Sequence, residues 1–300
     1  MKIIEYVQKD RIISENTKLG VVHLKVKHLK EQINFYKVAL KMTILEETED
    51  YAILGDTKNP LLHLRKVDDL KRYSNTTGMY HFALLYPNEK ELAKAIYWLY
   101  SIKYPNAPTD HGFSKTSYLK DLEGNDIELY IRTVDRAIYI EKNGEYKIKY
   151  KDGRITDGRD ELDLDELFSH LDKNDDIESP IYDMQMGHIH LYGSNVDEMN
   201  KFYTEVMGFA EGIYMPYFRM SDVGLTREKN HVIAFNAWKR TDIQAPEDAA
   251  GLDYYTIVLD GKNEFDSLLA RLDKNGTPYT IEETSAYLLD PSKIKIKLTY

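Results

Sequence analysis

The chain reads as an α+β protein: four βαβββ modules paired into two domains, each a curved mixed sheet around a concave cavity with helices outside. Three internal matches carry this reading. HLKVKHLKEQINFYKVALKM (23–42) returns as HLYGSNVDEMNKFYTEVMGF (190–209), so that His23 matches His190 and Phe35-Tyr36 matches Phe202-Tyr203. GMYHFALL (78–85) resembles GLDYYTIVL (251–259), and DLEGNDIELY (121–130) aligns with DPSKIKIKLT (290–299). Each half of the chain therefore holds two units of about 50 residues, a length typical of repeated supersecondary units.

The elements follow in order. Val21 to Val26 alternates like a strand, and Lys30 to Leu40 has helical spacing at Ile33, Tyr36 and Leu40. MTILEE, YAILGD and LLHLRK are the three short strands that complete the first unit. The second unit runs from a strand at Tyr80 to Leu85, through a helix over Glu89 to Tyr100, to strands near 110 to 131. Units three and four begin at Gly187 and Leu252. The expected boundaries are an N-terminal pair of modules over 1–132, an acidic connector over 133–183 and a C-terminal pair over 184–300. The connector carries a hairpin, AIYIEKNGEYKIKY with an Asn-Gly turn, and a helix from DLDELFSHL.

Composition narrows the function. With no cysteine there is no disulfide, thiolate nucleophile or Cys-based zinc site. A formal net charge of -10 argues against a nucleic-acid surface, which needs clustered Lys and Arg. No apolar run reaches the roughly 18 residues of a membrane span, and the opening MKIIEYVQKDRII turns polar too early for a secretory signal, so a cytoplasmic location is expected. The 24 tyrosines against 9 phenylalanines suit a β-rich protein with a semi-polar cavity.

Strand alternation selects candidate site residues. Val22, Leu24 and Val26 share one face, leaving His23 on the other. His81 likewise opposes Phe82 and Leu84, and Glu128 opposes Ile127 and Leu129. A lone buried histidine is more often a satisfied core residue than a ligand. Three polar residues at matched strand positions, all turned toward the concave side, favour a site. Two imidazoles and one carboxylate form a facial triad suited to non-haem Fe(II), with Mn(II) next and Zn or Ni tolerated.

The order of units, with VVHLKV, GMYHFALL and DLEGNDIELY, resembles the vicinal-oxygen-chelate (glyoxalase/bleomycin resistance/extradiol dioxygenase) superfamily, and within it the two-domain bacterial catechol-2,3-dioxygenase-like proteins. The resemblance spans nearly the whole chain apart from the connector. It implies that His23, His81 and Glu128 hold a divalent metal. It further implies that His111 and Tyr118, in DHGFSKTSYLKD, act as an acid/base histidine and a tyrosine that hydrogen-bonds the substrate, and that His63, in LLHLRK, lies near the O2 site. A histidine suits proton transfer near neutral pH, which is what forming a catecholate requires.

In the second half Tyr254 stands at the position of His81 and Lys297 at that of Glu128. An ammonium cannot replace a carboxylate ligand, so a degenerate site is expected there, with His188, His190 and His231 left as an alternative metal or ligand cluster. Three functions stay open. The first is an oxidoreductase of the type I extradiol dioxygenase kind that opens an aromatic vicinal diol with O2. The second is a glyoxalase-like lyase, isomerase or thiol transferase, and the third a non-catalytic small-molecule-binding protein. The expected partner is a small molecule such as a catechol, with neither nucleic acid nor membrane, and homo-oligomers remain open.

Overall fold

A computed structural model describes residues 2–4 and 11–300; the rest of the N-terminal opening read above lies outside the described residues. A short β1 (Lys2–Ile4) precedes unit one: β2 (Lys18–Val26), α1 (Leu29–Ala39), β3 (Thr43–Glu47), β4 (Tyr51–Gly55) and β5 (Pro60–Lys66). Unit two comprises β6 (Gly78–Leu85), α2 (Glu89–Ser101), β7 (Ala107–Asp110), β8 (Ser114–Lys120) and β9 (Asp126–Arg132). The connector forms β10 (Ala137–Lys142), β11 (Glu145–Tyr150), β12 (Ile155–Thr156), β13 (Asp160–Glu161) and α3 (Leu164–Phe168). Unit three has β14 (Gln185–Tyr192), α4 (Val196–Lys201), β15 (Ala210–Met215), β16 (Met220–Gly224) and β17 (Ile233–Asn236). Unit four has β18 (Gly251–Val258), α5 (Lys262–Lys274), β19 (Tyr279–Glu282), β20 (Ser285–Leu289) and β21 (Lys295–Thr299).

The four βαβββ units are present, but their pairing differs from the expected one. Unit two joins unit three in a nine-stranded sheet, ordered β13-β7-β8-β9-β6-β14-β17-β16-β15. Unit one joins unit four in an eight-stranded sheet, ordered β19-β20-β21-β18-β2-β5-β4-β3. The seams are antiparallel pairs of first strands, β6 with β14 and β2 with β18. The halves 1–132 and 184–300 are therefore not self-contained sheets. The reason is geometric: the first strand of every unit has one free edge, and nothing local dictates which other unit fills it.

Alternation holds as expected. Along β9, Ile127, Leu129 and Ile131 enter the apolar core, while Glu128, Tyr130 and Arg132 line a cavity on the other face. Along β14, Ile189 and Leu191 are core and His188 and His190 face the cavity. One continuous apolar core runs through both sheets and their helices. The connector is more than a tether. Its β10–β11 hairpin turns at Asn143-Gly144, both at positive φ, as the Asn-Gly pair predicts. It joins β1 and β12 in a small third sheet, and β13 extends the nine-stranded sheet at β7.

Among the described residues, no helix is long and apolar enough to cross a membrane.

Candidate metal site

The sheet of units two and three cups a cavity of about 850 Å³, walled on its open side by the connector. At its base, His81 of β6, Glu128 of β9 and His188 of β14 meet, at 4%, 3% and 2% exposure. Ala83 pairs with Glu128 on one neighbouring strand and with His188 on the other. Its methyl group leaves both longer side chains room to lean over β6 and reach His81, which lies two residues back on the same face.

The convergence is tight. His81 Nε2 lies 3.1 Å from Glu128 Oε2 and 3.1 Å from His188 Nε2, and His188 Nε2 lies 3.0 Å from Glu128 Oε2. Hydrogen bonds do not account for this triangle. If both Nε2 atoms carried protons toward the carboxylate, the two N–H groups would crowd each other. A cation does account for it, because ligands about 2.1 Å from a common metal at right angles stand about 3.0 Å apart. Electrostatics agrees. Burial drives His188 down to about 3, with Glu128 opposing, so its imidazole is neutral. Burial alone would raise Glu128, but His188 and His81 hold it well below the ordinary carboxylate range. A buried carboxylate anion facing the neutral His188 imidazole is a costly arrangement without a counter-ion. The residues therefore fit a divalent metal, with the remaining directions open to the cavity. The Nδ1 atoms of His81 and His188 are buried with no protein partner, so no outer acceptor fixes their tautomer.

Two further histidines flank the triad. Asn236 donates its side-chain N–H to His190 Nε2 at 2.9 Å, and burial holds His190 neutral, well below its ordinary value. His231 Nδ1 pairs with the buried Asp222 carboxylate, which raises the imidazole against the opposing effect of burial.

His111 and Tyr118 lie in the same cavity, with His111 Nε2 2.9 Å from the Tyr118 hydroxyl. The Gly158 carbonyl accepts from His111 Nδ1 at 2.5 Å. That contact puts the imidazole proton on Nδ1, so Nε2 is the acceptor and Tyr118 donates to it. Burial, then the Glu128 charge, keeps the Tyr118 phenol well above its ordinary value and hence protonated.

Two expected site residues lie elsewhere. His23 and His63 belong to the other sheet, as register partners on β2 and β5. His23 stacks on Tyr254 at 3.9 Å, and His63 lies between His23 and Tyr51, with ring centroids at 4.8 and 5.2 Å. Burial, then His63 and Lys297, lowers His23 to about 3. The concave face of that sheet is thus filled by its own aromatic rings and gathers no metal-binding cluster among the described residues. His23 lies away from the cavity because unit one pairs with unit four and not with unit two. His188, expected only in an alternative cluster, stands beside His81 and Glu128 instead. Its signal was the H-x-H of MGHIHLY, which places His188 on the same strand face as His190.

A family-level comparison matches residues 18–129 to the Glyoxalase/Bleomycin resistance protein/Dioxygenase superfamily, and the whole-chain relative described next carries the match well beyond them. The chain belongs to this superfamily. It is 32% identical over 277 residues to the catechol-2,3-dioxygenase of Bacillus subtilis (strain 168), covering 91% of this chain and 92% of that one. Its fold is similar to that of a candidate dioxygenase from Bacillus subtilis subsp. subtilis strain 168, at 11% identity and TM-score 0.62 over 97% of this chain and 85% of that one. It is also similar to Zea mays glyoxalase I, at 15% identity and TM-score 0.56 over 94% of this chain and 92% of that one.

Proposed function

We propose that the chain is an extradiol-type dioxygenase that opens an aromatic vicinal diol with O2, using a divalent metal held by His81, Glu128 and His188. The observation that carries this reading is the triangle of ligand atoms at 3.0–3.1 Å, closed on the protein side and open to a cavity that also holds the His111–Tyr118 pair. The catechol-2,3-dioxygenase relative, aligned over most of both chains, supports it. Fe(II) suits two imidazoles and one carboxylate, and Mn(II) is the second choice. A divalent metal held by His81, Glu128 and His188 would supply a Lewis acid for the diol oxygens and for O2.

The chain's own groups handle the protons. His111 Nε2, with the Nδ1 proton held by Gly158, is the acceptor for a diol proton once the Tyr118 hydroxyl gives way. Tyr118, kept protonated, donates a hydrogen bond to whichever oxygen displaces it from His111. His81, His188 and Glu128 are buried, so water reaches the reacting atoms only from the cavity side.

Anaerobic Fe(II) loading followed by oxygen uptake with catechol tests the proposal. Stoichiometric O2 consumption is expected, with loss of both bound metal and uptake in Glu128→Ala. A second reading, a glyoxalase-like lyase or isomerase, is favoured by one observation: the triad draws ligands from two units across the β6–β14 seam. Metal bound without O2 consumption across a panel of catechols would shift the assignment to it.

A further inference from the structure

Beyond Glu128 and Tyr130 on the cavity face of β9 stands Arg132. Of the ten other arginines, five reach a carboxylate (Arg11, Arg65, Arg136, Arg154 and Arg227), while Arg271 and Arg72 bond carbonyls instead. Arg132, half-buried, does neither well. Its Nη2 makes a long 3.3 Å bond to the Gly187 carbonyl, its guanidinium lies 5.8 Å from the Tyr130 ring centre, and its Nε is buried with no partner. A half-buried guanidinium normally satisfies its planar fork with an oxyanion. Here the space in front of it is the cavity.

We infer that Arg132 anchors a carboxylate on the substrate, so that the natural ligand is an aromatic vicinal diol bearing one acidic substituent. This rests on the proposed function for the diol end and on Arg132 alone for the acid end. The spacing permits both. Glu128 and Arg132 are four strand positions apart, about 13 Å between Cα atoms at 3.3 Å per residue, and the arginine side chain shortens that gap. A single ring with a short acid arm fits within it. Arg159 and Lys147 line the cavity from the connector, and Arg132 is its cation on the sheet wall. The cavity's other acidic groups do not occupy Arg132. Glu128 is turned to the triad, and Asp160 accepts hydroxyl hydrogen bonds from Tyr150 and Thr156 on the connector side. Asp157 and Glu161, also on the connector, oppose the attraction of Arg159 and Lys147 for an acid at that wall.

The test compares two probes that differ in the acid alone, 3,4-dihydroxyphenylacetate and 4-ethylcatechol. Each is titrated into the full-length protein, with and without redox-inert Zn(II), and followed by the fluorescence of Trp238, which lines the cavity. The wild type is expected to bind the acid at least about tenfold tighter than the neutral diol, the range of a hydrogen bond to a charged group. Arg132→Met is expected to bring the ratio close to one. If R132M misfolds by circular dichroism, Arg132→Lys replaces it, with a reduced ratio expected because the fork is lost. A wild-type ratio near one, or a ratio unchanged in both variants, overturns the inference. Absence of any Zn(II) effect on either probe, with the ratio intact, counts against the metal-dependent function and leaves the acid anchor standing.

Discussion

Ala83 lies between Glu128 and His188, and its size decides whether the two can meet over β6. Ala83→Leu is expected to wedge them apart, lowering metal affinity by more than about tenfold while costing about 1–3 kcal/mol of stability through overpacking. Metal titration and thermal melting of the same variant separate the two effects. His188→Gln and Glu128→Gln are expected to lower metal affinity beyond the roughly 10- to 100-fold typical of an outer partner. His23→Gln is expected to leave it unchanged, since that ring is stacked on Tyr254 in the other sheet. Equal losses in all three variants, measured by metal content after dialysis, would contradict the ligand assignment. At this scale the sequence was partly legible. Alternation alone turned His81 and Glu128 toward the cavity. His188 stayed hidden because the repeat aligned its neighbour His190 with His23 and gave His188 no counterpart.

The turns between the last two strands of units two and four show what the repeated Phe-Tyr pair is for. Asp121 Oδ1 accepts the backbone N–H of Glu123 and Asn125, at 3.0 and 2.8 Å, and its other oxygen accepts from Tyr36 of α1 at 2.9 Å. Asp290 repeats the motif, taking Ser292 and Ile294 at 2.8 and 2.9 Å and the Tyr203 hydroxyl at 3.1 Å. Each tyrosine belongs to one sheet's unit and each aspartate to the other's, so the two bonds tie the sheets together. The sequence showed the repeat but not this role, because each tyrosine's partner comes from a different unit and no spacing within a unit encodes it. Asp290 has a measurable consequence. Burial raises its carboxyl to about 7, above the usual carboxylate range. Between the unfolded and folded values the native state binds more protons, so this group's contribution to stability falls as pH rises from about 4 to about 7 and is level above that. Asp290→Asn is expected to remove a fall of up to about 4 kcal/mol. Urea melts of both proteins at pH 4.5 and 7.5 would show it. Parallel pH profiles would exclude the raised carboxyl.

Over the whole molecule, the pairing of units divides the labour between two sheets. The nine-stranded sheet gathers the triad, His111, Tyr118 and Arg132 around one cavity, and the connector supplies the Gly158 carbonyl that orients His111. The eight-stranded sheet fills its own concavity with Tyr51, His63, His23, Tyr254 and Tyr287, with Lys295 over the last two rings. Lys297 stands there at the position of Glu128. The identity of the units and their internal order were legible from periodicity and repeats. Their pairing was not, since no spacing within a unit encodes which other unit fills the free edge of its first strand.

The β2–β18 seam carries a cost in time. Unit one is the first of the four to be made, yet its free edge is filled by a strand beginning at Gly251. At about 5–20 residues per second, synthesis leaves β2 without that partner for roughly ten to fifty seconds. During this interval the nested sheet of units two and three can already close around its cavity, whereas β2 presents unpaired backbone N–H and C=O groups to the surroundings. The unit that leaves the ribosome first is the last to be sealed.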